Sequence, residues 1–238
     1  MRVKTRALAE HDKEARRHAL LDAAESLFLA HPERVASVEE VARAAGLAKG
    51  TVYLYFPSKE ELLLSLHERH VARFFDALVR RLASRAAVDF DAVWRVTREH
   101  LVRTPGTLAL ASRCFGLMDR DIPAEAAIAF KVRMGRVLAG AGGGLEGRFP
   151  ALAPGAGVTL LQHSYGLIVG LWQLMHPNER LGTAMERAEL AMFKRDYERE
   201  LERALRSLWA GTMGAPSAPG RKRRCSAPPC SSPSPRRS

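Results

Sequence analysis

The chain has 238 residues, 47% of them hydrophobic, and carries a formal net charge of +11 at pH 7. This length allows one compact domain and a smaller one, and no apolar stretch is long enough to span a membrane. The basic N-terminus lacks the apolar core of a signal peptide, and three cysteines give no disulfide framework, so we expect a cytoplasmic protein that does not contact membranes.

The positive charge is concentrated at the two ends of the sequence. Residues 1–20 contribute +3, and the tail 211–238 contributes +6 because it holds six basic residues and no acid. We interpret 1–13 as a basic N-terminal arm that supplements phosphate binding, with a simply solvated terminus as the alternative. The tail is rich in proline and serine, so we predict that it is a disordered, solvated basic segment.

Apolar residues at helical spacing predict an all-α protein, since no strand-like alternation of useful length occurs. The first helix is expected at about 14–30, where a His-Pro pair stops it. Ser37 and Glu40 have the spacing of a capping box and therefore start the second helix. Gly46 then supplies the turn that ends this second helix.

A short third helix is expected at about 48–54. Two helices joined around a glycine are typical of a helix-turn-helix, whose second helix enters the major groove of DNA. Pro57 ends the short helix. Ser58 and Glu61 then repeat the capping signature at the start of a long helix, expected at about 59–86.

Segment 14–66 resembles the DNA-binding domain of TetR-family transcriptional regulators. That domain has an apolar first helix, a helix-turn-helix and the pattern Tyr-x-Tyr/His-Phe-x-x-Lys-Glu-x-Leu, which appears here as Tyr53, Tyr55, Phe56, Lys59, Glu60 and Leu62. The resemblance implies an N-terminal three-helix helix-turn-helix DNA-binding domain at 14–58. It also implies a C-terminal helical ligand-binding and dimerisation bundle at 59–210.

Base contacts in such a motif come from its second helix. Lys49 can donate to guanine, Thr51 can contact a thymine methyl group or a phosphate, and Gly50 allows close approach of the backbone. Phenol hydroxyls, an ammonium group and the start of a helix suit phosphate oxygens. The predicted DNA contacts are Ser37, Ala48, Lys49, Gly50, Thr51, Tyr53, Tyr55 and Lys59.

Three of these residues have a plainer interpretation. Tyr55 would be buried, Lys59 would only be solvated, and Ser37 would act as a helix cap alone. The remaining apolar residues around the short helix, which are Val52, Leu54 and Phe56, are expected in the core.

The second half of the chain is also expected to be helical. Further helices are predicted at about 90–103, 108–118, 156–175 and 183–210, with another that ends near Leu138. The glycine run 140–144, followed by two prolines, predicts a flexible loop.

The last two predicted helices carry the expected partner surface. The first has small residues four positions apart, and the second has apolar residues at helical spacing. Two such helices from each of two protomers would form a four-helix bundle of the kind that TetR-like dimers use. A two-fold dimer also suits a helix-turn-helix that binds a palindrome. The alternative is that these faces bury only the core of the protomer. The predicted interface is Gly166, Gly170, Trp172, Tyr197, Leu201, Leu205 and Leu208.

The resemblance further implies a ligand pocket within the bundle. Apolar walls with a few polar anchors describe such a site, although large apolar residues at helical spacing also form ordinary cores. An inward-facing Arg103 or Arg113 would indicate an anionic ligand, such as a carboxylate or an acyl thioester. The candidate pocket residues are Phe74, Trp94, His100, Arg103, Arg113, Phe115, Met118, Phe130, Met134, His163, Tyr165 and Trp172.

Motifs of common enzyme classes do not occur in the sequence. It has no Gly-rich phosphate loop, no Gly-x-Ser-x-Gly and no His-Glu-x-x-His, so we expect no enzymatic activity, cofactor or metal. The resemblance implies a homodimeric repressor, released from a palindromic operator in double-stranded DNA by a small-molecule effector. The alternative is an architectural or cell-division-linked DNA-binding protein of the same fold that has no effector.

Overall fold

The computed structural model describes residues 2–32, 34–118, 121–176 and 187–214. Within these residues it contains helices and no strand, which confirms the all-α prediction. The helices are α1 (Arg2–Ala30), α2 (Val38–Ala44), α3 (Lys49–Tyr53), α4 (Lys59–Ala83), α5 (Phe90–Thr97, extended by a π-helical turn, Arg98–Val102), α6 (Thr107–Met118), α7 (Ala124–Arg148), α8 (Ala156–Met175), a 3₁₀ helix (Ala188–Phe193) and α9 (Tyr197–Gly214). None of the helices in the described segments combines the length and apolar character needed to cross a bilayer.

The first three helices and the start of α4 pack around one hydrophobic core. Leu20 of α1, Val41 of α2, Val52 of α3 and Leu66 of α4 are all buried in it. A helix of five residues, such as α3, is too short to be stable through its own hydrogen bonds. Its position is therefore fixed by the packing of Val52 on the neighbouring helices.

Helix α4 contributes to two cores along its 25 residues. Its first turns, at 62–66, pack in the N-terminal core, whereas Phe74, Leu78 and Leu82 pack in a second core with α5, α7, α8 and α9. The two halves of the chain therefore share one continuous helix.

The predicted loop at 140–144 is wrong, because α7 continues as a helix to Arg148. Two of the glycines in this region serve helix packing rather than chain flexibility. A Cβ atom added at Gly157 of α8 would lie 2.2 Å from the carbonyl oxygen of Gly142, and one added at Gly142 would lie 2.7 Å from the amide nitrogen of Val158. The backbones of α7 and α8 thus approach so closely that only glycine fits on either side.

The same helix pair is joined by a side-chain cap. A single oxygen of the Glu146 carboxylate on α7 accepts hydrogen bonds of 2.9 Å from the backbone N–H groups of Gly155 and Gly157. These donors lie at the start of α8, where backbone N–H groups have no partner within the helix. Gly155 also adopts a positive φ of 84°, which favours glycine.

Other helix boundaries differ from the prediction. Helix α1 begins at Arg2, so the basic segment 2–13 continues that helix. The expected helix at 183–210 is divided: a 3₁₀ helix ends at Phe193, and Asp196 caps the start of α9 by accepting a 2.7 Å hydrogen bond from the N–H of Arg199. Residues 177–186 and the predicted disordered tail beyond Gly214 lie outside the described residues.

Candidate functional site

The start of α2 is fixed by the predicted capping box. The hydroxyl of Ser37 accepts a 3.2 Å hydrogen bond from the N–H of Glu40, whose carboxylate accepts one of 2.8 Å from the N–H of Ser37. Arg34 donates two further hydrogen bonds, of 3.0 and 2.7 Å, to the same carboxylate. The hydrogen bonds from Arg34 and then Ser37 lower the pKa of Glu40 to about 2. The box is therefore intact at any physiological pH.

The turn after α2 determines which face of α3 is exposed. Gly46 has a positive φ of 67°, and the N–H of Leu47 donates a 2.9 Å hydrogen bond to the carbonyl oxygen of Ala42. The chain then enters α3 with Val52 fully buried, and Phe56 is buried just beyond its end. The opposite face of α3 is consequently exposed to solvent.

An open groove of about 400 Å³ lies where the start of α2, the exposed face of α3 and the start of α4 meet. Four of the predicted DNA contacts line this groove, which are Ser37, Lys49, Tyr53 and Lys59. The groove is also lined by two acidic residues that were not predicted, Glu39 and Glu60. These residues come from three consecutive helices, so the folding of segment 37–60 brings their side chains together.

Both lysines of the groove contact a carboxylate. The Nζ of Lys49 lies 3.7 Å from Oε2 of Glu39, and the Nζ of Lys59 lies 3.6 Å from Oε1 of Glu60. Each lysine side chain is more than half exposed. Ion pairs at this exposure contribute at most about 1 kcal/mol. A phosphate or a base can therefore replace either carboxylate at little cost in free energy.

The other predicted DNA contacts lie outside the groove. Ala48 and Gly50 are exposed at the start of α3, and Thr51 is half-buried. Tyr55 is half-buried and packs against the N-terminal core. The prediction for Leu54 is wrong: this side chain is 79% exposed, because it follows the last turn of α3 on the side opposite to Val52.

A second site is an apolar cavity of about 380 Å³ in the C-terminal half. It lies between α4, α5, α6, α7, α8 and α9. Six of the predicted pocket residues line it, which are Phe74, Trp94, Phe115, Phe130, Met134 and Tyr165. Sequence reasoning missed Phe75, Phe90, Trp209 and His67, which also line it. Phe75, Phe90 and Trp209 lie at apolar positions of α4, α5 and α9, where helical spacing predicts core residues, and His67 carries no apolar signal.

Among the polar side chains of the cavity wall, His67, Ser164 and Tyr165 make hydrogen bonds within the protein, although Nδ1 of His67 has no partner among the described residues. The Tyr165 hydroxyl lies 3.1 Å from Nε2 of His67, and the Ser164 hydroxyl accepts a 3.1 Å hydrogen bond from Nε1 of Trp209. Burial lowers the pKa of His67 to about 4 and raises that of Tyr165 above its ordinary value. Both side chains are therefore uncharged at neutral pH.

Five other predicted pocket residues do not line the cavity. The Arg103 guanidinium donates hydrogen bonds of 3.0 and 2.9 Å to Glu198, and Arg113 donates one of 2.5 Å to the carbonyl oxygen of Pro32. His163 is exposed on α8. The remaining two, His100 and Trp172, are half-buried outside the cavity wall, and the ring of Trp172 stacks on His176. The side chain of Met118 lies outside the described residues.

Some residues of the predicted partner surface are exposed, and others are buried within the protomer. Gly166 is exposed and Gly170 is half-exposed, and a Cβ atom at either position would meet no other atom within 4 Å. The prediction is wrong for Leu201 and Leu205, which are buried in the core of the protomer. Trp172, Tyr197 and Leu208 are partly buried against this core, and the Tyr197 hydroxyl donates a 2.8 Å hydrogen bond to the carbonyl oxygen of Ile168.

Two family profiles match the chain in succession. Residues 20–66 match the profile described as bacterial regulatory proteins, tetR family. Residues 68–216, which are more than half of the chain, match the tetracyclin repressor-like C-terminal domain. The first match contains the groove, and the second contains every residue of the cavity wall except His67.

Individual relatives match shorter segments. The HTH-type transcriptional regulator EthR of Mycobacterium tuberculosis is 37% identical over 90 residues, which are 38% of this chain and 42% of EthR. The HTH-type transcriptional repressor LfrR of Mycolicibacterium smegmatis is 34% identical over 112 residues, which are 47% of this chain and 58% of LfrR. Each alignment spans less than two thirds of the relative's length.

Solved structures share the fold. A TetR-family transcriptional regulator from Mesorhizobium loti superimposes with a TM-score of 0.53 at 20% identity, over 83% of this chain and 96% of that one. The fatty acid degradation regulator FadR from Bacillus halodurans gives a TM-score of 0.50 at 20% identity, over 81% and 93%. With both family profiles matched in order along this fold, the chain belongs to the TetR family of bacterial transcriptional regulators.

Proposed function

We propose that the protein is a homodimeric repressor. It binds a palindromic operator in double-stranded DNA through the groove between α2, α3 and α4, and it releases that operator when a small molecule occupies the cavity. The observation that carries this proposal is the course of α4. Lys59 at its first turn lines the groove, and residues 67–75 of the same helix line the cavity.

The link between cavity and groove also involves α1. Glu25 of α1 pairs with Arg69 of α4, and its second oxygen lies 2.7 Å from Nε2 of His70. On the other side of the ring, Nδ1 of His70 lies 2.7 Å from the hydroxyl of Thr107 at the start of α6. A shift of α4 or α6 therefore acts on α1, and α1 packs against α2 through the N-terminal core.

The exposed face of α8 supports dimer formation. Gly166 and Gly170 leave room for close approach of a second helix, and Leu174 at the same face is 69% exposed. A two-fold dimer formed through this face would present two symmetry-related α3 helices, as a palindromic operator requires. At Gly170, which does not line the cavity, an added Cβ atom meets no other atom of the protomer, so we expect Gly170→Arg to be a monomer by sedimentation with unchanged helix content by circular dichroism. The matched control is Gly147→Arg on α7, where a Cβ atom likewise meets nothing.

Selection of DNA sites from a random pool tests the DNA-binding half of the proposal. We expect a palindromic site, bound by two protomers, with an affinity that falls steeply as salt is raised. Lys59→Ala should weaken binding to all sequences and lower the salt slope by about 1. Lys131→Ala, which changes an exposed lysine on α7 that does not line the groove, is the control. Selection of no common site, or of a site without two-fold symmetry, would contradict the proposal.

An architectural role is the competing function. It predicts binding at many chromosomal sites and no change in DNA affinity when the cavity is filled. A mapping of occupied sites in cells separates the two, because a repressor occupies few operators. The apolar cavity of about 380 Å³ favours the repressor, since an architectural protein has no use for it.

A further inference from the structure

We propose that the cavity takes an uncharged, elongated and largely apolar molecule that carries one hydrogen-bonding oxygen. This inference rests on the proposed function, which makes the cavity the effector site, and it names the class of effector. It replaces the anionic ligand that an inward-facing arginine would have indicated.

The cavity wall excludes a charged ligand. Among the described residues, no Asp, Glu, Lys or Arg side chain lines the cavity, and most of the wall consists of aromatic and aliphatic carbon. The two candidate arginines bind elsewhere, Arg103 to Glu198 and Arg113 to the carbonyl oxygen of Pro32. An ion moved from water into such a site loses its hydration and gains no counter-charge, which costs several kcal/mol.

The length of the cavity favours an elongated molecule. The wall follows α4 from His67 to Phe75, a rise of about 12 Å, and α8 from Leu161 to Ile168, a rise of about 10 Å. Phe130 packs near His67 at one end, with ring centroids 6.3 Å apart. Aromatic rings also close the other end, where Phe90 and Trp209 meet edge to face at 5.7 Å.

One pair of side chains supplies the polar anchor. The Tyr165 hydroxyl contacts Nε2 of His67, while Nδ1 of the same ring is buried and has no hydrogen-bond partner. A phenol both donates and accepts, so Tyr165 can bond a ligand hydroxyl or carbonyl oxygen and keep its contact with His67. Because both side chains are neutral, this pair recognises an uncharged oxygen better than a carboxylate.

Ligands of equal chain length and different head group test the inference. Decanol, decane, decanoate and decylamine are titrated against the full chain at pH 7, and binding is followed by the fluorescence of Trp94 and Trp209 in the cavity wall. We expect decanol to bind most tightly, with decanoate and decylamine at least about tenfold weaker. Tighter or equal binding of either ion, or binding of none of the four, would overturn the proposal.

A variant without the Tyr165 hydroxyl tests the polar anchor separately from the apolar wall. Tyr165→Phe should weaken decanol about tenfold and leave decane unchanged, because only decanol loses a hydrogen bond. Thr159→Val, which removes an exposed hydroxyl on the same helix, should leave both affinities unchanged. An equal loss of decanol and decane in the tyrosine variant would refute the anchor. Circular dichroism verifies that both variants are folded.

Operator release is measured separately, so that the two proposals fail in different ways. If decanol binds as expected and the operator stays bound, the inferred ligand class stands and effector-driven release is contradicted. If the protein binds an operator but only the charged probes enter the cavity, the inferred class is wrong and the repressor function stands.

Discussion

The close approach of α7 and α8 makes the substitution Gly157→Ala a sharp test of the fold. The added Cβ atom would lie 2.2 Å from the oxygen and 2.8 Å from the carbon of the Gly142 carbonyl group. Neither atom can rotate away, because both belong to the backbone of α7. The two helices must separate, and overpacking of this kind costs up to about 3 kcal/mol. The higher helix propensity of alanine, compared with glycine, offsets up to about 1 kcal/mol of this cost. We expect a net loss of about 2 kcal/mol.

The chain offers a matched control in the same helix pair. Gly143 of α7 has no atom within 4 Å of its virtual Cβ. Gly143→Ala should therefore raise the free energy of unfolding by about 0.5–1 kcal/mol. Thermal unfolding at one fixed protein concentration gives the comparison, with expected Tm changes of about −4 to −8 °C for Gly157→Ala and about +1 to +4 °C for Gly143→Ala. A loss of stability in the Gly143 variant would mean that this glycine run is not helical. Unchanged stability in the Gly157 variant would mean that α7 and α8 are further apart.

Three further predictions concern the groove and the buried histidine. Lys49→Ala should cost about 1–3 kcal/mol at one base pair of the operator, and an equal loss on random DNA would refute a base contact. Glu39→Gln removes a negative charge 3.7 Å from Lys49 Nζ, so affinity for random DNA should rise about two- to fivefold and specificity should fall, as measured by fluorescence anisotropy. His67 has a pKa of about 4 in the folded chain and 6.5 when unfolded, so the unfolded chain binds the extra proton between these values. Stability should therefore fall as pH drops from 6.5 to 4, by up to about 1.4 kcal/mol per pH unit from this residue. His67→Gln should reduce that slope, and an unchanged slope in urea unfolding would contradict the assignment.

The features that were predictable from the sequence are those set by local interactions. The Ser37–Glu40 capping box and the turn at Gly46 depend on residues three or four positions apart, and both form as expected. The apolar spacing likewise placed Val52 and Phe56 in the core. In this segment the chemistry of each short stretch agrees with the fold around it.

The predictions that were wrong concern features that depend on contacts between residues distant in the sequence. The glycines at 140–144 have the composition of a loop, and only the approach of Gly157 explains why a helix places glycine at Gly142. Leu201 and Leu205 have the spacing of a helix face, but spacing does not say whether the partner is another protomer or the same one. Arg103 is a candidate pocket residue by sequence, but it pairs with Glu198, which lies 95 positions further along the chain.

The geometry of α4 explains how a ligand would act on the groove without touching it. His67 lies in the cavity wall, and His70, on the next turn, bridges Glu25 of α1 and Thr107 of α6. A ligand that displaces His67 must also shift His70 or bend the helix, since both belong to one continuous hydrogen-bonded segment. Glu25 of α1 also pairs with Arg69 of α4, so a shift of α4 would act on α1 through this ion pair. Because α1 and α4 hold α2 and α3 through a shared core, such a movement would change the separation of the two α3 helices in the proposed dimer. A palindromic operator fixes the spacing of its two half-sites, so a changed separation would lower the affinity of the proposed dimer for DNA.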